Sequence, residues 1–172
     1  MEKPSWVLLV YRIPREPSRH RVAVWRKLRD LGALYLQDGV AVLPEDAVTR
    51  EQMEWLQLRV REAGGEATLW KARPGTVAEE AELVRTFRSS REEAYRTIVA
   101  EAGRVRRKAQ MGGGQTLLEQ LNKLEREFRA ERRRDYFRSP LRTEAAAALR
   151  AARRAVRAAT GPAEDQDVGS AK

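Results

Sequence analysis

From Trp6 to Ile13 the chain reads WVLLVYRI, a short apolar run that stops at Pro14. A run this short without alternation predicts a strand apolar on both faces, hence central in its sheet. The PREPS loop follows, and Ser18 is placed to cap the next helix with its hydroxyl. Val24, Leu28 and Leu31, with Trp25 beside them, set an apolar stripe at helical spacing over Arg19–Leu31. Gly32 ends it. ALYLQDGVAVLP then holds two apolar runs around Asp38-Gly39, which predicts a hairpin with strands at about 33–37 and 40–43. Thr49 and Gln52 have the spacing of a capping box, and Met53, Leu56, Val60 and Ala63 form the stripe of the helix that follows. Trp55 and Leu58 fall off that stripe, so this helix is expected to be covered on two faces, with Trp55 packed beneath a later helical appendage. Gly64-Gly65 ends the helix, and EATLWKA reads as a fourth strand.

The order β-α-β-β-α-β predicts an α+β fold: a ferredoxin-like (split βαβ) core over residues 5–74, with a four-stranded antiparallel sheet and two helices on one face. Past Pro74-Gly75 the period is helical throughout. Thr76 and Glu79 have capping-box spacing, and Val84, Phe87, Tyr95, Ile98, Ala102 and Val105 recur to about Lys108. MGGGQ interrupts the pattern. Thr116 and Glu119 restart it, and Leu117, Leu121, Leu124 and Phe128 carry it to about Tyr136. This predicts an α-helical hairpin. Ser139-Pro140 opens a final Ala- and Arg-rich helix, about 141–159. The expected organisation is a 5–74 core, a 76–159 helical appendage and a disordered 160–172 tail.

Composition narrows what such a fold does. Cysteine is absent, which excludes disulfides and thiolate chemistry. No apolar run approaches the ~18 residues of a membrane span, and no signal pattern opens the chain. A soluble cytoplasmic protein away from the membrane is expected. The formal net charge is +9, and it is uneven. Residues 1–75 carry 13 Lys and Arg against 10 Asp and Glu; residues 76–157 carry 20 against 12. That balance favours nucleic acid as a partner.

Catalytic signals are weak. The one histidine, His20, sits in the first turn of a basic helix. There is no Ser-His-acid set, Gly-rich phosphate loop or His-rich cluster, so neither a metal nor another cofactor is expected. The small CRISPR-associated nuclease shares the βαββαβ core and uses an Asp at the end of its first strand. Here Tyr11 and Arg12 stand there, and arginine cannot ligate a hard cation. The positive signal is cationic. Arg12 and Arg15 lead into the first helix, and Arg19, Arg21, Arg26 and Lys27 lie on it, with Arg19, Arg26 and Arg29 opposite the apolar stripe. Arginine forks fit phosphate oxygens, so these six residues are the candidate DNA-binding set. The alternative is a solvated face whose arginines pair with Asp30 or Glu16.

The string WVLLVYRIPREPSRHRVAVWRKLRDLGALYLQDGVAVLP resembles the N-terminal domain of the chromate-resistance regulator family ChrB. GGEATLWKAR, EEAELVRTFRSSREEAYR and RRRDYFRSP continue the resemblance, which runs from about Ser5 to Arg157. A more distant likeness is to the central domain of PaaX-type repressors. The resemblance implies a transcriptional regulator of a chromate-efflux operon, with cations that face DNA or the chromate oxyanion. Full-length family members carry a C-terminal domain beyond the matched region, so a separately encoded copy of that domain is an implied partner. No helix-turn-helix pattern stands in the first half, which leaves DNA contact to the basic loop and helix. Two readings follow: a DNA-binding regulator acting as a homodimer, or a dimerisation and interaction module of a chromate-resistance system without DNA contact. A divergent nuclease is a distant third.

Overall fold

A computed structural model describes residues 5–112 and 116–160; of the tail expected at 160–172, Thr160 instead ends the last helix and 161–172 lie outside the described residues. Strand β1 (Trp6–Arg12) leads to helix α1 (Ser18–Leu31), the hairpin β2 (Leu34–Gln37) and β3 (Val40–Pro44), helix α2 (Ala47–Glu62) and strand β4 (Glu66–Ala72). The four strands form an antiparallel sheet ordered β2-β3-β1-β4. This is the split βαβ arrangement that the apolar pattern predicts. Three long helices follow: α3 (Val77–Gln110), α4 (Thr116–Arg134) and α5 (Leu141–Thr160).

Alternation along β1 separates its two faces. Val7 and Leu9 share a buried cluster with Val24 and Leu28 of α1 and with Met53, Leu56 and Val60 of α2. Trp6, Leu8 and Val10 point the other way. Trp6 is 1% exposed because Phe87 stacks on it at 5.6 Å and Phe137 lies at 5.7 Å. Val10, at 38%, is open. So β1 is central, as expected, but only part of its second face is covered.

Three local expectations need correction. Ser18 does not cap α1. It is the first helical residue, Pro17 holds the cap position, and no side chain bonds there. The capping box of α2 is Asp46 with Thr49, not Thr49 with Gln52. Asp46 Oδ1 accepts from the Thr49 amide at 2.7 Å, and Thr49 Oγ1 accepts from the Asp46 amide at 2.9 Å. The carboxylate one turn earlier starts the helix sooner. Trp55 is 59% exposed rather than buried beneath other helices. At the start of α3 the expected box stands: the Thr76 amide donates to Glu79 Oε2 at 2.8 Å, and the Glu79 amide donates to Thr76 Oγ1 at 3.1 Å.

The described residues fall into two compact units. The first extends to Ser89 and takes in Arg133–Phe137. Within it Tyr136 donates its hydroxyl proton to the Leu31 carbonyl at 2.7 Å, and Arg134 Nε donates to the Asp30 carbonyl at 2.9 Å. The second unit comprises Ser90–Arg132 and the residues from Arg138 onward. Its core joins Tyr95, Ile98, Ala102 and Val105 to Leu117, Leu121 and Leu124, and to Ala145, Leu149, Ala152 and Val156 of α5. Arg153 ties α5 to α4 through both oxygens of Glu125, at 2.7 and 2.6 Å. This carboxylate raises the arginine pKa.

Candidate nucleic-acid interface

All six candidate cations are exposed. Arg12 ends β1, opposite Glu66 in the register with β4. It shares a cleft of about 550 Å³ with Arg15, Gly64 and Gly65. Gly65 is needed there: a Cβ would stand 2.5 Å from the Arg12 carbonyl and 2.8 Å from Val60 Cγ1. Arg19 and Arg26 project from the side of α1 opposite Val24 and Leu28, two turns or roughly 10 Å apart along the axis. Arg21 and Lys27 flank that line on opposite sides. Arg21 enters a cleft with Tyr11, Trp25 and Asp38, while Lys27 enters a groove with His20, Trp55 and Arg59. The structure thus joins Arg12 with Arg15 and aligns Arg19 with Arg26. It turns Arg21 and Lys27 away from each other.

None of the six forms an ion pair among the described residues. Asp30, a carboxylate that could have neutralised this face, is engaged by Arg134 at 3.5 Å. Glu16 forms no ion pair among the described residues. Among the described residues the only side-chain hydrogen bond made by the set is from Arg19 Nε to His20 Nε2, at 3.4 Å. The first turn of α1 holds no acidic residue, yet Arg19 and Arg21 stand there. A helix N-terminus carries roughly half a positive charge, so cations near it lose about 0.3–1 kcal/mol each. Helix stability does not explain their position. The same positive end reinforces the arginines as an anion-attracting surface.

Two further arginines stand near the face, Arg29, which helical spacing already places beside Arg19 and Arg26, and Arg59, which the sequence does not single out. The Arg29 guanidinium lies 4.7 Å from the centre of the Trp25 ring, a cation–π contact. Arg59 follows Trp55 by four residues on the same side of α2 and joins it in the groove with Lys27. The i,i+4 spacing was the available signal, hidden because Trp55 reads as a core residue. Among the described residues no cluster of three or more His, Asp or Glu is placed to hold a metal ion. Nor is any described helix long and apolar enough to cross a membrane.

The family model described as "Protein ChrB, N-terminal" matches residues 21–161. A curated relative, Protein ChrB of Cupriavidus metallidurans strain CH34, is 30% identical over 90 residues. That alignment takes in 52% of this chain and 28% of the relative's length. No solved structure matches.

Proposed function

We propose that this chain, which belongs to the ChrB N-terminal family, regulates transcription of chromate-resistance genes by holding the phosphate backbone of duplex DNA. The observation that carries the reading is the set of six exposed cations that form no ion pair among the described residues, two of them at a helix end whose dipole disfavours them. Contacts of this kind position a protein on DNA more than they read bases. Sequence choice then comes from a second copy in a homodimer, or from the remainder of a longer regulator supplied as a separate partner.

The test is a salt titration of duplex binding. Replacing Arg19 and Arg26 with Ala should weaken binding about equally on all sequences. It should also flatten the plot of log affinity against log salt by nearly one unit per lost phosphate contact. Folding should survive, because neither residue touches the core. An unchanged affinity and slope in a folded double variant would remove the reading.

A second reading, an interaction module without DNA contact, is supported by the open face of the sheet. Val10, Leu36 and Trp70 are exposed there, where a strongly cationic chain offers a partner an apolar surface.

A further inference from the structure

Between α1 and α2 runs a groove of about 460 Å³. Its floor, Val24 and Leu56, is already buried. The Trp55 indole is not, and it is the one large apolar side chain the groove leaves in water. Lys27 of α1 and Arg59 of α2 line the same groove, as does His20, and no carboxylate lines it. Lys27 has no ion pair among the described residues, and Arg59 meets only Glu62, at 3.9 Å between two exposed side chains. Such a pair is worth little.

A flat aromatic ring in one groove with two available cations fits a ligand that is itself flat and anionic. In a duplex the base faces are hidden by stacking; in a single strand they are open, with a phosphate on either side. We infer that this groove binds a single nucleic-acid strand, stacking one base on Trp55 and setting the flanking phosphates against Lys27 and Arg59. An acidic amphipathic helix from a protein partner fits less well. It would need an open apolar floor along several turns, and here the floor is filled and one ring stands proud. The inference deepens the nucleic-acid reading but stands on residues other than Arg19 and Arg26. A place for one unpaired strand beside a surface for duplex backbone would favour locally opened DNA.

The experiment uses the full chain and two probes, a twelve-residue oligothymidylate and a duplex, each with a fluorescent label. Stacking contributes about 1–3 kcal/mol per base, or roughly 5- to 150-fold in affinity. Trp55→Ala should therefore weaken oligothymidylate binding about 10-fold or more and leave duplex affinity within about 2-fold. Trp55→Phe should recover most of the affinity while abolishing most of the tryptophan quenching seen on binding. Lys27→Ala with Arg59→Ala should lower the salt slope for the single strand. Circular dichroism checks each fold; if Trp55→Ala does not fold, the Phe and double-cation variants decide alone. Unchanged single-strand affinity in the folded Ala variant, or unchanged quenching in Trp55→Phe, overturns the inference. So does equal competition by polyglutamate, which would make the groove a site for acidic peptide. Duplex binding without single-strand binding sinks this inference alone. Single-strand binding with no duplex binding leaves it standing and sinks the other.

Discussion

Glu45, just after β3, is the clearest case of a single residue whose surroundings set its chemistry. Its side chain is 5% exposed. It accepts from Ser5 Oγ at 2.5 Å, faces Lys71 Nζ at 2.9 Å and pairs with Arg50. The Ser5 hydroxyl bond first, then the Lys71 and Arg50 cations, pull its pKa from 4.5 to about 2 against the opposing effect of burial. A carboxyl depressed by folding adds stability that is complete above its unfolded value and fades as pH falls through its folded one. Its contribution should thus be whole above pH 4.5 and shrink between 4.5 and about 2. Glu45→Gln should unfold with a flatter pH dependence over that window than the parent in urea melts taken at several pH values. Parallel curves would show that Glu45 is not linked to folding. Nothing in the sequence announces this cluster, because Ser5, Glu45 and Lys71 meet only when β1, β3 and β4 are paired. The α2 cap shows the nearer limit of residue-scale reading: Thr49 with Gln52 has the spacing of a box, yet the box lies one turn earlier, at Asp46 with Thr49. Among the candidate cations, the outward placement of Arg19 and Arg26 followed from helical spacing, but the division of Arg21 and Lys27 between two grooves required the neighbours Trp25 and Trp55.

At the scale of elements, the Asp38-Gly39 turn was legible because its chemistry is local. Gly39 has φ 75°, and a Cβ there would stand 2.5 Å from the Tyr11 carbonyl. The Gly39 carbonyl accepts from the Tyr11 amide at 2.7 Å. The turn is thereby seated on β1, and only a residue without a side chain fits. Gly39→Ala should cost about 1–3 kcal/mol for the left-handed backbone, with the clash adding to it. Chemical denaturation measures this; a loss under about 0.5 kcal/mol would mean that the hairpin shifts freely off β1. Helix α3 shows the opposite case. Its apolar positions read as one continuous stripe, yet Val84 and Phe87 belong to the sheet unit and Tyr95 onward to the helical unit. A period of 3.6 says that a face is buried, not what buries it. For the same reason Trp55, off the stripe of α2, was given a cover that it lacks.

Across the whole molecule, what makes the sheet unit complete comes from far along the chain. Residues 133–137 end α4 and return to that unit, where Tyr136 and Phe137 join Phe87 around Trp6. Phe87 sits 5.6 Å from both Trp6 and Phe137, and meets Tyr136 edge-on at 6.2 Å. The change of composition at Pro74-Gly75 marks where the strands stop, not where this core stops: the aromatic cover of Trp6 lies wholly beyond it. No periodicity could reveal the return, since DYF follows the last turn of α4 and is too short to have a period. The charge bias of the chain, by contrast, was visible at once because net charge does not depend on contacts. The cluster makes a prediction that only the assembled unit can satisfy. Removing a buried aromatic ring costs about 3–5 kcal/mol. Phe87→Ala should destabilise the sheet unit on that scale and Phe137→Ala, whose ring is only half-buried, by less, although one lies in α3 and the other beyond α4. Their rings touch each other as well as Trp6, so the losses should not add. Paired aromatics couple by about 0.5–1.5 kcal/mol, and the double variant should fall short of the sum by at least that much. The readout is denaturant unfolding followed by tryptophan emission in a Trp25→Phe, Trp55→Phe, Trp70→Phe background, which leaves Trp6 as the sole reporter. Strict additivity, or a Phe137→Ala loss below about 1 kcal/mol, would show that the DYF segment rests on the sheet unit without completing its core.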